Sequence, residues 1–166
     1  MREMQPEDGA TFYELNSDPE VIRYTGDPPF ASVEAATTFL KNYDAYKKFG
    51  MGRWVVVRKE DGIILGWCGL KFLEESHEVD LGYRFFKKYW SRGYATETAD
   101  RCIQYGFDEL ALTKIVGRSA VSNYASLRVL EKCGLKFEKF NTLFGEDSVQ
   151  HAINKAEYLA FKKNRG

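Results

Sequence analysis

The run YWSRGYATETA, Tyr89–Ala99, sets the small residues Ser91, Ala95 and Thr96 around a lone glycine, Gly93, where a strand-like pattern becomes helix-like. Such an arrangement suits anion binding by the backbone. The first amides of a helix have no partner inside it, and with the helix dipole they attract negative charge. A phosphate must come within hydrogen-bond distance of several consecutive N–H groups, so the chain has to be bare where it is tightest. Gly93 leaves it bare, and Arg92 adds a cation. The stretch is not a P-loop, because no Gly-Lys-Ser/Thr follows, and it lacks the second and third glycines of a dinucleotide fingerprint. On its own, Arg-Gly-x-Ala reads more readily as a plain strand-to-helix turn.

The flanking elements must position this turn. Before it, Val79, Leu81, Tyr83 and Phe85 alternate with Asp80, Gly82 and Arg84, as in a strand. After it, Ala95, Ala99, Cys102, Ile103, Phe107 and Leu110 fall on one helical stripe. Upstream, RWVVVR (53–58) and IILGWCGLKF (63–72) flank Asp61-Gly62, a strong hairpin signal, and with VDLGYRF they make an antiparallel meander. KIVGR (114–118) is a short strand, so the strand–helix–strand unit reads as a crossover with parallel strands. A helix over Asn123–Cys133 closes at Gly134, strands follow at 135–140 and near 149–154, and KAEYLAFKKN is a final short helix.

The N-terminal part is helical. PEDGATFYELNSDPEVIRYT breaks near Ser17–Pro19, and SVEAATTFLKNYDAYKKFG reads as one helix from a Ser32 cap to Gly50. The order predicts an α/β (α+β) fold: a mixed, mostly antiparallel sheet with helices on both faces. The 166 residues suit a single domain, 1–166.

Composition narrows the function classes. Twenty-four basic and 24 acidic residues give a formal net charge of +0, which argues against a nucleic-acid binder relying on a broad basic face. Cys68, Cys102 and Cys133 have no short spacing, so free, mostly buried thiols are expected and neither a disulfide framework nor a metal site. No apolar run approaches the ~20 residues of a membrane span, and the expected location is the cytoplasm, with no membrane partner.

A second motif raises the weight of the first. VSNYASLRVLEKCGLKF pairs an Asn at a helix start with a Ser one turn on, then Glu-Lys-x-Gly-Leu. Together with WSRGYATETA it resembles the GCN5-related N-acetyltransferases (GNAT), most closely the branch of the RimJ/RimL ribosomal-protein N-terminal acetyltransferases. The likeness extends to DPEVIRYTG, ILGWCGL and VDLGYRF and covers most of the chain. It implies a GNAT-like sheet with a central splayed parallel strand pair, acetyl-CoA as co-substrate, an amine acceptor and no metal; a homodimer is left open.

The family pattern Gln/Arg-x-x-Gly-x-Gly/Ala falls on Trp90–Ala95. The resemblance therefore puts the cofactor pyrophosphate over the amides of Arg92, Gly93, Tyr94, Ala95 and Thr96, with Trp90 where a polar side chain is usual. It puts the pantetheine arm beside the backbone of Phe85, Phe86 and Lys87, as an added strand would lie. Asn123 matches a cofactor-contacting Asn, although Asn is equally a preferred helix cap. Leu130 stands where many members carry a thiolate-protonating tyrosine, and Ser126 is the matching serine that could hydrogen-bond the thiolate. Tyr83, Tyr94 and Tyr124 are the other hydroxyls nearby.

The chemistry sets further requirements. An amine must be neutral to attack a thioester, so a carboxylate is needed to take its proton, directly or through water. A backbone N–H on the splayed strand would serve the oxyanion, and positioning the two reactants together accounts for much of the rate gain. Asp80 first, then Glu78, are the carboxylates on the right strand, with a solvated strand-edge acid as the plainer reading. His77 is expected to be exposed in a turn, and His151 to lie on a late strand near the acceptor side. Phe12, Tyr24, Phe30, Trp67 and Tyr83 line either an acceptor pocket or the core.

The implied activity is transfer of acetyl to a primary amine, at a protein or peptide N-terminus. The alternatives are a small-molecule amine (a polyamine, amino sugar or antibiotic) and a non-catalytic acyl-CoA-binding module. One departure from the family is the opening MREMQPED, which leaves the usual first strand truncated or very short.

Overall fold

The strands are β1 (Arg53–Val57), β2 (Ile64–Leu73), β3 (Glu78–Phe85), β4 (Lys114–Ala120), β5 (Lys136–Leu143) and β6 (Glu146–Asn154). In the computed structural model, which describes residues 1–165, they form one sheet in the order β1-β2-β3-β4-β6-β5. The helices are α1 (Gly9–Ser17), α2 (Pro19–Ile22), α3 (Val33–Lys41), α4 (Ala45–Phe49), α5 (Tyr94–Asp108), α6 (Tyr124–Lys132) and α7 (Lys155–Lys163). β1, β2 and β3 form the expected antiparallel meander, and β3 pairs with β4 in parallel.

Strand alternation sorts residues between two helical layers. Val79, Leu81 and Phe85 of β3 share a core with Ala99, Cys102, Ile103 and Phe107 of α5, Leu130 of α6 and Tyr158 of α7. On the opposite face, Val55 and Trp67 pack against Phe12 of α1 and Ala36 and Leu40 of α3. Phe107 and Ile103 are fully buried, each stabilising the α5–sheet contact by about 1.5–3 kcal/mol. Cys68 and Cys102 meet in the same core with their sulfurs 3.7 Å apart, and the three thiols are free and buried.

One expectation needs correction. The segment after Ser32 is not one helix: it breaks between α3 and α4, at residues 42–44. Tertiary bonds select the break. The Tyr43 hydroxyl accepts from Arg53 N–H (2.9 Å), and the Tyr46 hydroxyl accepts from Met4 N–H (3.0 Å) and donates to the Arg53 carbonyl. The first strand is very short, as its opening residues suggest: a single bridge, Arg2 to Val55, with bonds of 3.1 and 2.8 Å.

One irregularity positions everything that follows. β2 and β3 stay in register from Glu78 to Phe85, and β4 and β6 from Lys114 to Ala120. β3 and β4 are in register only at Asp80 opposite Val116. Beyond that point the two strands part, and a slot opens between their C-terminal ends.

Candidate active site

The slot has unused backbone on one wall. Phe86 N–H bonds to the Leu65 carbonyl (3.1 Å), and antiparallel pairing alternates, so the polar groups of Phe85 and Tyr83 face away from β2, toward the slot. Phe86 is itself committed: its carbonyl accepts from Tyr89 N–H (2.9 Å), and its ring packs with Leu15 and Val21. The Phe85 carbonyl accepts from the Trp90 indole N–H at 2.8 Å. Trp90 thus has a defined role in place of the polar side chain expected there: it fastens the turn to the end of β3. The groups left to pair with an extended ligand are the N–H of Phe85 and the backbone of Tyr83, two residues upstream of the expected center. The Lys87 ammonium is drawn to Glu20.

At the mouth of the slot the chain turns into α5. Ser91 and Gly93 both have positive φ, 59° and 86°. No side chain caps Gly93, and the first helical bond runs from Glu97 N–H to the Gly93 carbonyl (3.0 Å). The amides of Tyr94, Ala95 and Thr96 precede that bond and point out of the helix end. A Cβ built on Gly93 would meet nothing within 4 Å, so the space above it is open. An anionic group fits this cradle: donors, dipole and clearance coincide.

α6 forms the other wall. Asn123 caps it, accepting from Ser126 N–H at 3.2 Å, so the capping role of this residue is realised. Leu130, in the tyrosine position, is buried and sits against Gly117, where any Cβ would come within 2.5 Å of it. Tyr83 reaches across from β3. Its hydroxyl lies 3.0 Å from both the Ser126 carbonyl and Ser126 Oγ. Burial raises the Tyr83 phenol well above its usual value, so it stays protonated.

A hydroxyl has one hydrogen. When Tyr83 donates to the Ser126 carbonyl, its contact with Oγ is a hydrogen bond only if Ser126 donates to Tyr83. When Tyr83 donates to Oγ, the Ser126 hydrogen is free for the slot. Tyr83→Phe removes this control and is expected to reduce kcat by roughly fivefold, the equivalent of a ~1 kcal/mol hydrogen bond, with KM for the cofactor little changed. Steady-state kinetics with Ser126→Ala in parallel checks it; a loss in Tyr83→Phe that persists at full size in the double variant would show that Tyr83 acts elsewhere.

The acidic residues Asp80 and Glu78 alternate with Val79 and Leu81, which places them on the face that α1 and α3 cover. Asp80, 6% exposed, accepts from Arg53 Nη2 (2.9 Å) and Arg118 Nε (3.3 Å). Arg53 reaches it by crossing Gly82, where a Cβ would stand 2.6 Å from its guanidinium. Glu78 is held by Lys114 Nζ (3.1 Å) and Gln150 Nε2 (3.1 and 3.3 Å), and Gln150 also bonds Glu138 (2.8 Å). Burial alone would raise the Glu78 carboxyl, but those bonds outweigh it and hold it below the ordinary carboxylate range. Neither carboxylate is a free acid at a strand edge: both Asp80 oxygens are taken by guanidiniums, and Glu78 is tied to Lys114 and Gln150.

His77 is exposed in its turn, beside Phe72. His151 is buried against Phe137 on the face opposite Gln150, so the late-strand residue toward the acidic face is Gln150 instead. Burial lowers the His151 imidazole. Phe12 is core, and Trp67 lies between the Arg53 and Arg84 guanidiniums, each 5.2 Å from its ring center. The sequence does not single out Gln150, Gly82 or Arg84, which the structure brings to Asp80 and Glu78 or to the same strand face; only the place of Gly82 and Arg84 on the alternating strand hints at that face.

A mixed sheet split between two parallel strands, with an uncapped glycine-led helix at the split, is the architecture of an acetyltransferase. The chain belongs to the GNAT family: the model described as acetyltransferase (GNAT) domain matches residues 1–136. It is 33% identical to the uncharacterized N-acetyltransferase YnaD of Bacillus subtilis over 84% of this chain and 80% of that protein. It is 31% identical to FsC-acetyl coenzyme A-N(2)-transacetylase of Aspergillus fumigatus, over 90% of this chain and 70% of that one. A crystal structure of spermidine N-acetyltransferase from Vibrio cholerae, in complex with CoA and spermine, superposes with a TM-score of 0.79 over 95% of this chain and 96% of that one; at 21% identity the likeness is one of fold.

Proposed function

We propose that this chain is an acetyl-CoA-dependent N-acetyltransferase acting on a primary amine. The observation that carries the reading is the parting of β3 and β4 beyond Asp80, directly beside the uncapped start of α5. When bound, acetyl-CoA supplies the activated acetyl group. Its pyrophosphate would rest on the amides of Arg92–Thr96, and its arm would pair with Tyr83 and Phe85. Tyr83 sets the direction of the Ser126 hydrogen, which serves the leaving sulfur. Asp80 and Glu78 fix the cationic side chains of the acceptor face, and the amine's proton leaves through water to bulk solvent.

The acceptor face favours a compact amine over an extended peptide. The segment between α2 and α3 bridges the open end of the slot: the Tyr24 hydroxyl donates to the Ser122 carbonyl (3.5 Å), Gly26 lies against the Phe144 ring, and Asp27 reaches Arg84 (2.7 Å). A polyamine is disfavoured, because the carboxylates there are already matched: Asp80 by two arginines, Glu78 and Glu138 by Lys114, and Asp27 by Arg84. A peptide N-terminus remains the second reading, through the likeness to the RimJ/RimL branch. Leu130 alone favours a non-catalytic module.

Incubation with acetyl-CoA and a panel of peptides, polyamines, aminoglycosides and small amines, following free thiol, tests the proposal. Turnover with small amines above spermidine and peptides is expected. Tight acetyl-CoA binding without turnover on any acceptor would favour the binding module, and absence of binding would remove the whole reading.

A further inference from the structure

We infer that the acceptor amine carries a carboxylate, and that Arg84 receives it in place of Asp27. The inference rests on the acetyltransferase reading and names its acceptor class.

Arg84 stands on the acceptor face of β3, next to Tyr83, whose backbone faces the slot. Its side chain is only 7% exposed. Nη1 donates to Asn16 Oδ1 (2.5 Å) and Nη2 to Asp27 Oδ2 (2.7 Å), while Nε is buried with no partner. Nε and Nη2 lie on the same edge of the guanidinium, the edge that a carboxylate takes with both oxygens. Asp27 therefore fills half of a two-donor fork and leaves the other half unsatisfied, an arrangement that buried donors rarely tolerate without a role.

The rest of the surroundings hold the fork still. Asn16 fixes Nη1 from α1, and the Trp67 ring lies under the guanidinium, so Arg84 is aimed before any ligand arrives. Burial lowers its basicity, so a full carboxylate partner is worth more here than at the surface.

Asp27 is a weak claimant. Its side chain is 59% exposed and belongs to the loop that bridges the slot. An exposed carboxylate gains little from one bond, because it is already well solvated. A ligand carboxylate engaging both Nε and Nη2 would displace it and return Asp27 to water. Of the other cations on this face, Arg53 is spent on Asp80 and the Gly69 carbonyl (2.6 Å) and Lys114 on Glu78 and Glu138, while Arg118, bound to Asp80 through Nε, is the more exposed side chain, 25% against 7% for Arg84. An amine a few bonds from that carboxylate would lie toward the slot.

The test uses the full chain and matched acceptors: ornithine against 1,4-diaminobutane, and 4-aminobutyrate against butylamine. The carboxylate member of each pair is expected to show at least tenfold higher kcat/KM. Arg84→Lys, which keeps the charge but not the fork, should erase that preference, with a thermal melt confirming the fold. Asp27→Asn, which frees the fork, should lower KM for 4-aminobutyrate at least threefold. Equal rates within the pairs, preference for the amine without carboxylate, or an unchanged ratio in Asp27→Asn would overturn the inference.

Titration calorimetry with CoA present gives a readout independent of turnover. Saturable 4-aminobutyrate binding, lost in Arg84→Lys, supports the inference, and no binding overturns it. Turnover of butylamine or 1,4-diaminobutane alone would leave the acetyltransferase reading standing while the carboxylate inference fell. Failure to bind acetyl-CoA would take both down.

Discussion

Gly93→Val is expected to raise the acetyl-CoA dissociation constant at least tenfold, about 1.4 kcal/mol, in a chain that still folds. Gly93 has φ 86° and ψ −8°, a region where a β-branched residue is strained. Valine would relax by moving φ to negative values, and the amides of Tyr94–Thr96 would swing with it. The strain is conformational, since a Cβ there meets no protein atom within 4 Å. That clearance also limits the loss of stability to about 1–2 kcal/mol, the ordinary cost of a left-handed residue. Gly93→Ala separates the two effects: it carries similar backbone strain and less bulk over the open space. Calorimetric titration with acetyl-CoA, with urea unfolding alongside, measures both. Normal binding by a folded Gly93→Val protein would place the anion cradle elsewhere.

Local signals carried the fold, and contacts distant in sequence decided the site. The alternation of VDLGYRF and the helical stripe after Gly93 depend on neighbours a few residues apart, so β3 and α5 were legible, as was the parallel pairing of β3 with β4. The break between α3 and α4 was not, because it follows from Tyr43 and Tyr46 bonding to Arg53 and Met4. Alternation placed Asp80 and Arg84 on one face but gave no partners. Arg53 and Arg118 come to Asp80 from two other strands, and Asn16 and Asp27 come to Arg84 from a helix and a loop. Gly82 looked like an ordinary small residue in a strand; its reason is the Arg53 side chain lying across it. Trp90 looked like the loss of a cofactor contact, whereas its indole holds the Phe85 carbonyl. A side chain's partner is a three-dimensional fact, and these partners determine which strand acids are free to act.

Asp80→Asn makes that distinction measurable. The acidic place on the VDLGYRF strand makes Asp80 the first choice for a base, yet its two oxygens are occupied by Arg53 and Arg118. Asparagine has nearly the same shape but no charge, so it would leave two largely buried guanidiniums without a counterion. Breaking a buried pair from one side typically costs about 3–5 kcal/mol. The lower figure, about 3 kcal/mol of unfolding free energy, is expected, since Arg53 keeps its bonds to the Gly69 and Asp80 carbonyls (2.6 and 3.1 Å).

The two roles predict different pH profiles. If Asp80 anchors the arginines, kcat/KM falls by a similar factor across pH and keeps its shape, and Asp80→Glu, which restores the charge, recovers part of both stability and rate. If Asp80 is the base, stability is nearly unchanged and the acidic limb of the profile disappears. Urea unfolding and a pH–rate profile of the two variants decide between them. The anchor outcome is expected, because both Asp80 oxygens already accept from guanidiniums, which leaves neither turned toward a substrate amine.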